Sequence, residues 1–190
     1  MSAGARPEEI EVKLPCGDLE GARRRLEGAG ARLRAAKHDE SNDLYDDPEG
    51  RLERAGHALR LRDAGGKALL TFKGPARFER GVKIREEREV GVSDHAEAAA
   101  ILANLGFTRR FRYEKRREEW DFADCVVALD ETPIGAFVEI EGDPGSIRRV
   151  IALLELDFAD ALPYSYARLY SLKRQKDPSL PEDMVFARRE

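Results

Sequence analysis

The chain is short of the residues that bind soft metals or form cross-links. Its two cysteines, Cys16 and Cys125, lie far apart without a CxxC spacing, so neither a disulfide framework nor a zinc site is indicated. A reducing, cytoplasmic setting is the expectation. The three histidines, His38, His57 and His95, are scattered, and each reads as a surface or core residue rather than a ligand. No apolar run approaches the roughly 18 residues of a membrane span, and "MSAGARPEE" holds no apolar signal-peptide core. A soluble protein without membrane contact is expected. A basic excess is also missing: 33 Lys and Arg face 37 Asp and Glu, a net charge of −4, which does not support general nucleic-acid binding.

What is plentiful is charge of both signs, 37% of the chain, beside a hydrophobic fraction of 42% that suffices for a core. No repeat or low-complexity linker divides the sequence. One α+β domain over residues 1–175 is expected, followed by a proline-interrupted, loosely held tail over 176–190.

The charges fall in a pattern. In "EEIEVKL" (8–14), Glu9, Glu11 and Lys13 share one face of a strand while Ile10, Val12 and Leu14 share the other. "HALRLRD" and "KALLTFKGP", split by Ala64, Gly65 and Gly66, read as a hairpin with Arg60 and Arg62 on one face and Leu69, Thr71 and Lys73 aligned on the next strand. "GPARFERG" reads as a polar loop. In "VKIREEREVGV", Lys83, Arg85, Glu87 and Glu89 share a face, with Glu86 replacing Glu87 if a bulge intervenes. "RFRYEKRREEWDF", "CVVALDE" and "GAFVEIE" add Lys115, Arg117, Asp130, Glu139 and Glu141. Helices are expected after Asp18, Asp94 and Asp143, and at "YSYARLYSLKR". The count is about eight strands.

For any single strand, an ionic row is most simply the wet face of a sheet. Across every strand the explanation weakens, because an open sheet could fill that face with Thr, Ser and Gln. The alternative is a sheet closed into a barrel with a polar lumen. Such a lumen has a use: lysine and arginine grip phosphates, and carboxylates without His or Cys select hard divalent ions such as magnesium or manganese.

"EIEVK" resembles the ExExK signature of the CYTH superfamily, the triphosphate tunnel metalloenzymes. "LRLR", "TFKGP", "REEREV", "EKRR", "ALDE" and "GAFVEIE" continue the resemblance in family order, over about residues 8 to 174. The resemblance implies an eight-stranded closed antiparallel β-barrel with a charged lumen and flanking helices. It implies substrate binding by Lys13, Arg60, Arg62, Lys73, Arg85, Lys115 and Arg117, and metal binding by Glu9, Glu11, Glu87, Glu89, Asp130, Glu139 and Glu141. Glu9, Glu11, Lys13, Lys73, Glu139 and Glu141 would carry catalysis. The expected activity is Mg2+- or Mn2+-dependent hydrolysis of a small-molecule triphosphate, inorganic or organic. The runner-up is class IV adenylyl cyclase, converting ATP to cyclic AMP and pyrophosphate, and a non-catalytic phosphate-binding module ranks third. Oligomeric state, monomer or homodimer, is left open by the sequence.

Overall fold

The computed structural model describes residues 8–187. The leading segment 1–7, part of the stretch read above as lacking a signal-like core, and the last three residues of the expected tail lie outside the described residues. Nine strands form one antiparallel sheet: β1 (Glu8–Pro15), β2 (Arg32–Asp46), β3 (Ala58–Ala64), β4 (Lys67–Lys73), β5 (Arg77–Glu79), β6 (Val82–Val92), β7 (Thr108–Phe122), β8 (Cys125–Thr132) and β9 (Gly135–Glu141). They run in the order β1-β9-β8-β7-β2-β3-β4-β6-β5. A further pairing, Glu8–Glu11 of β1 against Glu86–Lys83 of β6, joins the ends into a closed eight-stranded barrel. β5 is a three-residue addition on the outer part of β6.

Closure follows from the alternation. On β1, β3 and β9 the alternation is plain: Ile10, Val12 and Leu14, Leu59 and Leu61, and Val138 and Ile140 pack outward in the core clusters, while Glu9, Glu11 and Lys13, Arg60 and Arg62, and Glu139 and Glu141 line the lumen. α1 (Leu19–Gly28) and α4 (Pro144–Leu153) contribute Leu26, Ile147 and Val150 to a cluster with Val12, Leu14, Val127, Val138 and Ile140. α3 (His95–Asn104) sets Leu102 against Leu61 and Tyr45. Asp18, Asp94 and Asp143 cap α1, α3 and α4 as the sequence predicts, each accepting backbone N–H bonds in the first turn. A single turn, α2 (Arg51–Arg54), and a 3-10 turn at Phe158–Asp160 complete the set with α5 (Tyr166–Lys176).

Two expectations differ from the fold. The polar loop "GPARFERG" contains β5, and the segment after Lys176 is docked rather than loose. Met184 is wholly buried among Tyr113, Phe137, Tyr166 and Tyr170. Its N–H donates to Arg112 O (2.9 Å) and its carbonyl accepts from Glu114 N (2.8 Å), while the Tyr170 hydroxyl donates to Pro181 O (2.8 Å). A buried methionine with both backbone groups paired is an anchor, so Met184→Ala should lower unfolding free energy by about 2 to 5 kcal/mol. Urea denaturation checks this; an unchanged midpoint would show that the segment contributes nothing to the domain.

Candidate active site

The lumen is a cavity of about 910 Å³, lined, among the described residues, by ten glutamates and ten lysines and arginines. Since neither sign is in excess, an incoming anion must exchange partners rather than fall into a field of bare cations. The charges separate into two zones. In the first, β7 supplies Lys115 and Arg117, β3 supplies Arg60 and Arg62, and β1 supplies Lys13, around the acids Glu40, Asp130 and Glu139. Lys115 Nζ lies 3.1 Å from Asp130 and 3.4 Å from Glu40. Arg117 makes a two-pronged contact with Asp130 (2.7 and 2.6 Å) and also bonds Glu139. Lys13 reaches Glu139 at 3.1 Å and sits 3.9 Å above the Tyr166 ring. Arg62 bonds Asn42 (2.8 Å) and Glu40 (3.2 Å).

The second zone is acid-rich. Glu9 and Glu87 share Lys73 (2.9 and 2.5 Å), and Glu11 holds Lys83 (2.6 Å). Strand register explains the grouping: Glu11 lies opposite Glu141 on β9 and opposite Lys83 on β6, and Glu9 lies opposite Arg85. The Arg85 guanidinium donates to Gly74 O (3.0 and 2.7 Å). Arg60 stands between the zones, 3.3 Å from Glu89 and 3.6 Å from Glu87.

Proton affinities follow this division. Burial alone would raise Glu139, but Lys13, Arg117 and Lys115 overcome it and hold the carboxyl well below its usual range. Glu40 is likewise driven down against its burial, by Lys115, Arg117 and Arg62. In the acid-rich zone the acids divide: Glu87, raised by burial, is held down on balance by its hydrogen bond to Glu9 and by Lys73, while two others move up. Burial pushes Glu9 up, with Lys73 offsetting part of the effect. Burial together with Glu9, Glu87 and Glu11 pushes Glu141 up to about 7. Glu141 keeps one side toward solvent.

That value carries a sign. The folded state retains the Glu141 proton that the unfolded chain releases near the ordinary 4.5. This contribution to stability is therefore complete below pH 4.5 and is lost as pH rises to about 7. Carboxyl-carbon NMR of the metal-free protein should find one glutamate titrating near pH 7 that disappears in Glu141→Gln. If every glutamate titrates near 4.5, the acid-rich zone is not electrostatically crowded.

Most residues expected from the sequence meet in this lumen: Glu9, Glu11, Lys13, Arg60, Arg62, Lys73, Arg85, Glu87, Glu89, Lys115, Arg117, Glu139 and Glu141 all line it. β6 keeps Glu87 and Glu89 inward, opposite Lys73 and Thr71 of β4. Glu86 instead pairs with Arg88 (2.7 Å) and is not part of the lining. Asp130, expected as a metal position, does not reach the cavity. It is 0% exposed, and its oxygens accept from Arg117, Lys115 and the Tyr166 hydroxyl (2.7 Å), so it orients cations from behind the wall.

The sequence reading missed Glu40, Tyr113, Glu119 and Tyr166, which also line the lumen. Inward parity on β7, continued from Lys115 and Arg117, would have found Tyr113 and Glu119. Glu40 lies in a polar run without alternation, and Tyr166 enters from a helix.

A family model described as the CYTH domain matches residues 7–166. The chain belongs to the CYTH domain family. A Methanocaldococcus jannaschii protein named "Putative adenylate cyclase MJ0240" is 30% identical over 149 residues, covering 77% of this chain and 83% of that one. A Vibrio parahaemolyticus structure, titled a putative adenylate cyclase, superposes with a TM-score of 0.74 at 22% identity, covering 86% of this chain and 97% of the other. A Hippeastrum structure, whose title says that a putative adenylyl cyclase "reveals a dominant triphophatase activity", gives 0.66 at 19%, covering 87% and 96%. These two structural likenesses concern the fold.

The resemblance to CYTH enzymes implies a divalent metal, and the donor set suits one. Glu9, Glu11, Glu87 and Glu141 offer only oxygen, the preference of a hard cation. Their mutual repulsion, expressed in the raised Glu141, is the condition that a cation relieves. Among the described residues no three Asp, Glu, His or Cys side chains already converge as a ligand set; Lys73 and Lys83 must first release Glu9 and Glu11. No described helix is long and apolar enough to cross a membrane.

Proposed function

We propose that this CYTH protein hydrolyses a small-molecule triphosphate with the help of a divalent metal ion. The observation that carries the reading is the division of one lumen into a cation-rich zone and a crowded carboxylate zone, the two environments needed for a polyanion and for the metal that accompanies it. Lys13, Arg60, Arg62, Lys115 and Arg117 would take phosphate oxygens in exchange for Glu139 and Glu40. The flat guanidinium groups are suited to two-pronged contacts. Tyr166 and Asp130 hold Lys115 and Arg117 in place during that exchange.

Glu9, Glu11, Glu87 and Glu141 would hold the metal, which when bound neutralises charge and polarises a phosphoryl oxygen. Water oriented by carboxylates of this zone attacks the terminal phosphorus, the P–O bond to the next phosphate breaks, and the lumen cations neutralise the departing oxygen. Glu139, engaged by three cations, serves to pre-set the phosphate grip in this arrangement.

Cyclisation of ATP is the second reading, favoured by the name of the 30% identical relative. It requires the 3′-hydroxyl to be held about 3 to 3.5 Å from the α-phosphorus and in line with the leaving group, a constraint that water does not share. Product analysis separates the two. With Mg2+ or Mn2+ present, inorganic triphosphate should release orthophosphate, and ATP should yield ADP and phosphate rather than cyclic AMP and pyrophosphate. Cyclic AMP as the main product, with inorganic triphosphate left intact, would replace hydrolysis by cyclisation.

A further inference from the structure

The helices cover the outside of the barrel unevenly. α1 and α4 rest on the side formed by β1, β9 and β8, α5 rests on β7, and α3 rests on β3, so the outer face of β4 and β6 has no helix of its own. That face is apolar at its centre. Leu70 of β4 stands opposite Val90 of β6, with Phe72 and Arg88 the next outward pair along the ladder. Leu70 is partly covered by the α3 cluster, but Val90 is 58% exposed.

Beside this face, α3 turns an apolar edge to solvent. Ile101 and Leu105 follow Ala98 and Leu102 by three residues each, which carries both around the same flank of the helix. Seen from outside with α3 running upward, β4 and β6 lie to the right of β3, and the right-handed turn of the helix sets that flank on the right as well. Ile101 is 58% and Leu105 69% exposed. Three of the six exposed large apolar side chains among the described residues thus meet in one patch, and a contiguous patch of this kind marks an interaction surface where scattered ones do not.

The patch is complementary to itself. Its sheet half lacks a helix above Val90, and its helix half lacks a sheet beneath Ile101. A second copy related by a twofold axis perpendicular to the barrel wall supplies both at once, with the two α3 helices side by side and antiparallel. The rim charges fit the same operation. Glu97, in the first turn of α3, lies near the end of the barrel where β6 finishes, and its carboxylate makes no ion pair among the described residues. Arg88 lies on β6 toward the opposite end, with its side chain 59% exposed beside Glu86. The twofold rotation exchanges the two ends and brings Glu97 to the partner's Arg88, once on each side of the axis.

We propose that the protein forms a homodimer through the outer face of β4 and β6 and the exposed flank of α3. The inference does not rest on the triphosphate reading. The inner faces of the same two strands carry Lys73, Glu87 and Glu89, so the partner's helix braces the wall behind the carboxylate zone.

Sedimentation equilibrium of the full chain tests this. The wild-type protein should show twice the monomer mass at micromolar concentration. Ile101→Lys combined with Leu105→Lys, which sets like charges across the axis, should raise the dissociation constant at least a hundredfold. Both positions are exposed, and lysine suits the last turns of a helix, so the variant should fold, as circular dichroism checks. The rim supplies a second arm with milder changes. Glu97→Arg alone and Arg88→Glu alone should each weaken the dimer at least threefold, whereas both in one chain should return it to within twofold of wild type, because each copy then offers the reversed pair. A wild-type protein that stays monomeric to submillimolar concentration would assign the patch to a different partner and overturn the proposal. So would a dimer indifferent to the two lysines, or charge reversals whose effects add instead of cancelling.

Discussion

Lys115→Met should weaken triphosphate binding at least a hundredfold, about 2.7 kcal/mol, while Arg24→Ala on α1 should leave it unchanged. The difference comes from surroundings rather than charge. Lys115 is 2% exposed and faces Asp130, Glu40 and Glu139 in a cavity that water screens poorly. The Arg24 side chain is 70% exposed, and its closest acid, Asp18, is 3.9 Å away, so solvent and salt absorb its field. Methionine keeps most of the volume of lysine and avoids a void. Glu40 and Asp130 retain Arg62, Arg117 and Tyr166 as partners, so the variant should fold with a lowered thermal midpoint. Calorimetry against inorganic triphosphate reads the affinity. Equal affinities for Lys115→Met and Arg24→Ala would mean that the lumen does not hold the phosphates.

Removal of divalent metal should reduce turnover at least a hundredfold, again about 2.7 kcal/mol in the barrier. Four carboxylates gathered near the proposed phosphate path would repel a polyanion unless a cation stood between them. Their own lysines, Lys73 and Lys83, are already paired. Glu11→Gln, which removes one oxygen donor and one charge opposite Glu141, should cost at least tenfold in kcat without unfolding the protein. Phosphate release in EDTA, followed by readdition of Mg2+ or Mn2+, makes the measurement. Full activity in EDTA would remove the metal from the mechanism.

Much of the barrel was legible because its chemistry repeats every second residue. Where alternation runs unbroken, as from Glu9 to Lys13 or from Lys83 to Glu89, inward positions can be counted off directly. β2 breaks that regularity. Its pairing with β7 shifts between Leu33 and Ala35 and again between Ala35 and His38, and consecutive residues Arg34 and Ala35 both line the lumen, so "RLRAAKHDESND" shows no clean alternation that would single out Glu40. β5 was illegible for another reason: it is three exposed residues with Phe78 alone between two charges, too short for an alternating apolar row to mark a strand. Parity also says nothing about depth. Asp130 faces inward as its strand position requires, but Tyr166, arriving from a helix 36 residues later, covers it. The anchor at Met184 escaped because proline spacing suggests a loose segment when the partners that hold it are distant in sequence.

The pairing of the first strand with the last also sets a timetable for the barrel's assembly. Glu11 on the first strand must find Glu141 on the last, 130 positions away, and long-range pairings of this kind slow folding because the intervening chain must first be ordered. During synthesis from the amino end, β1 leaves the ribosome well before β9 exists. At the rate of roughly 5 to 20 residues per second, it waits several seconds with an apolar row, Ile10, Val12 and Leu14, lacking its β9 neighbour. The alternating glutamates and lysine that line the lumen in the finished protein then have an earlier task. They keep a lone, newly made strand charged on one face and discourage its pairing with another copy of itself.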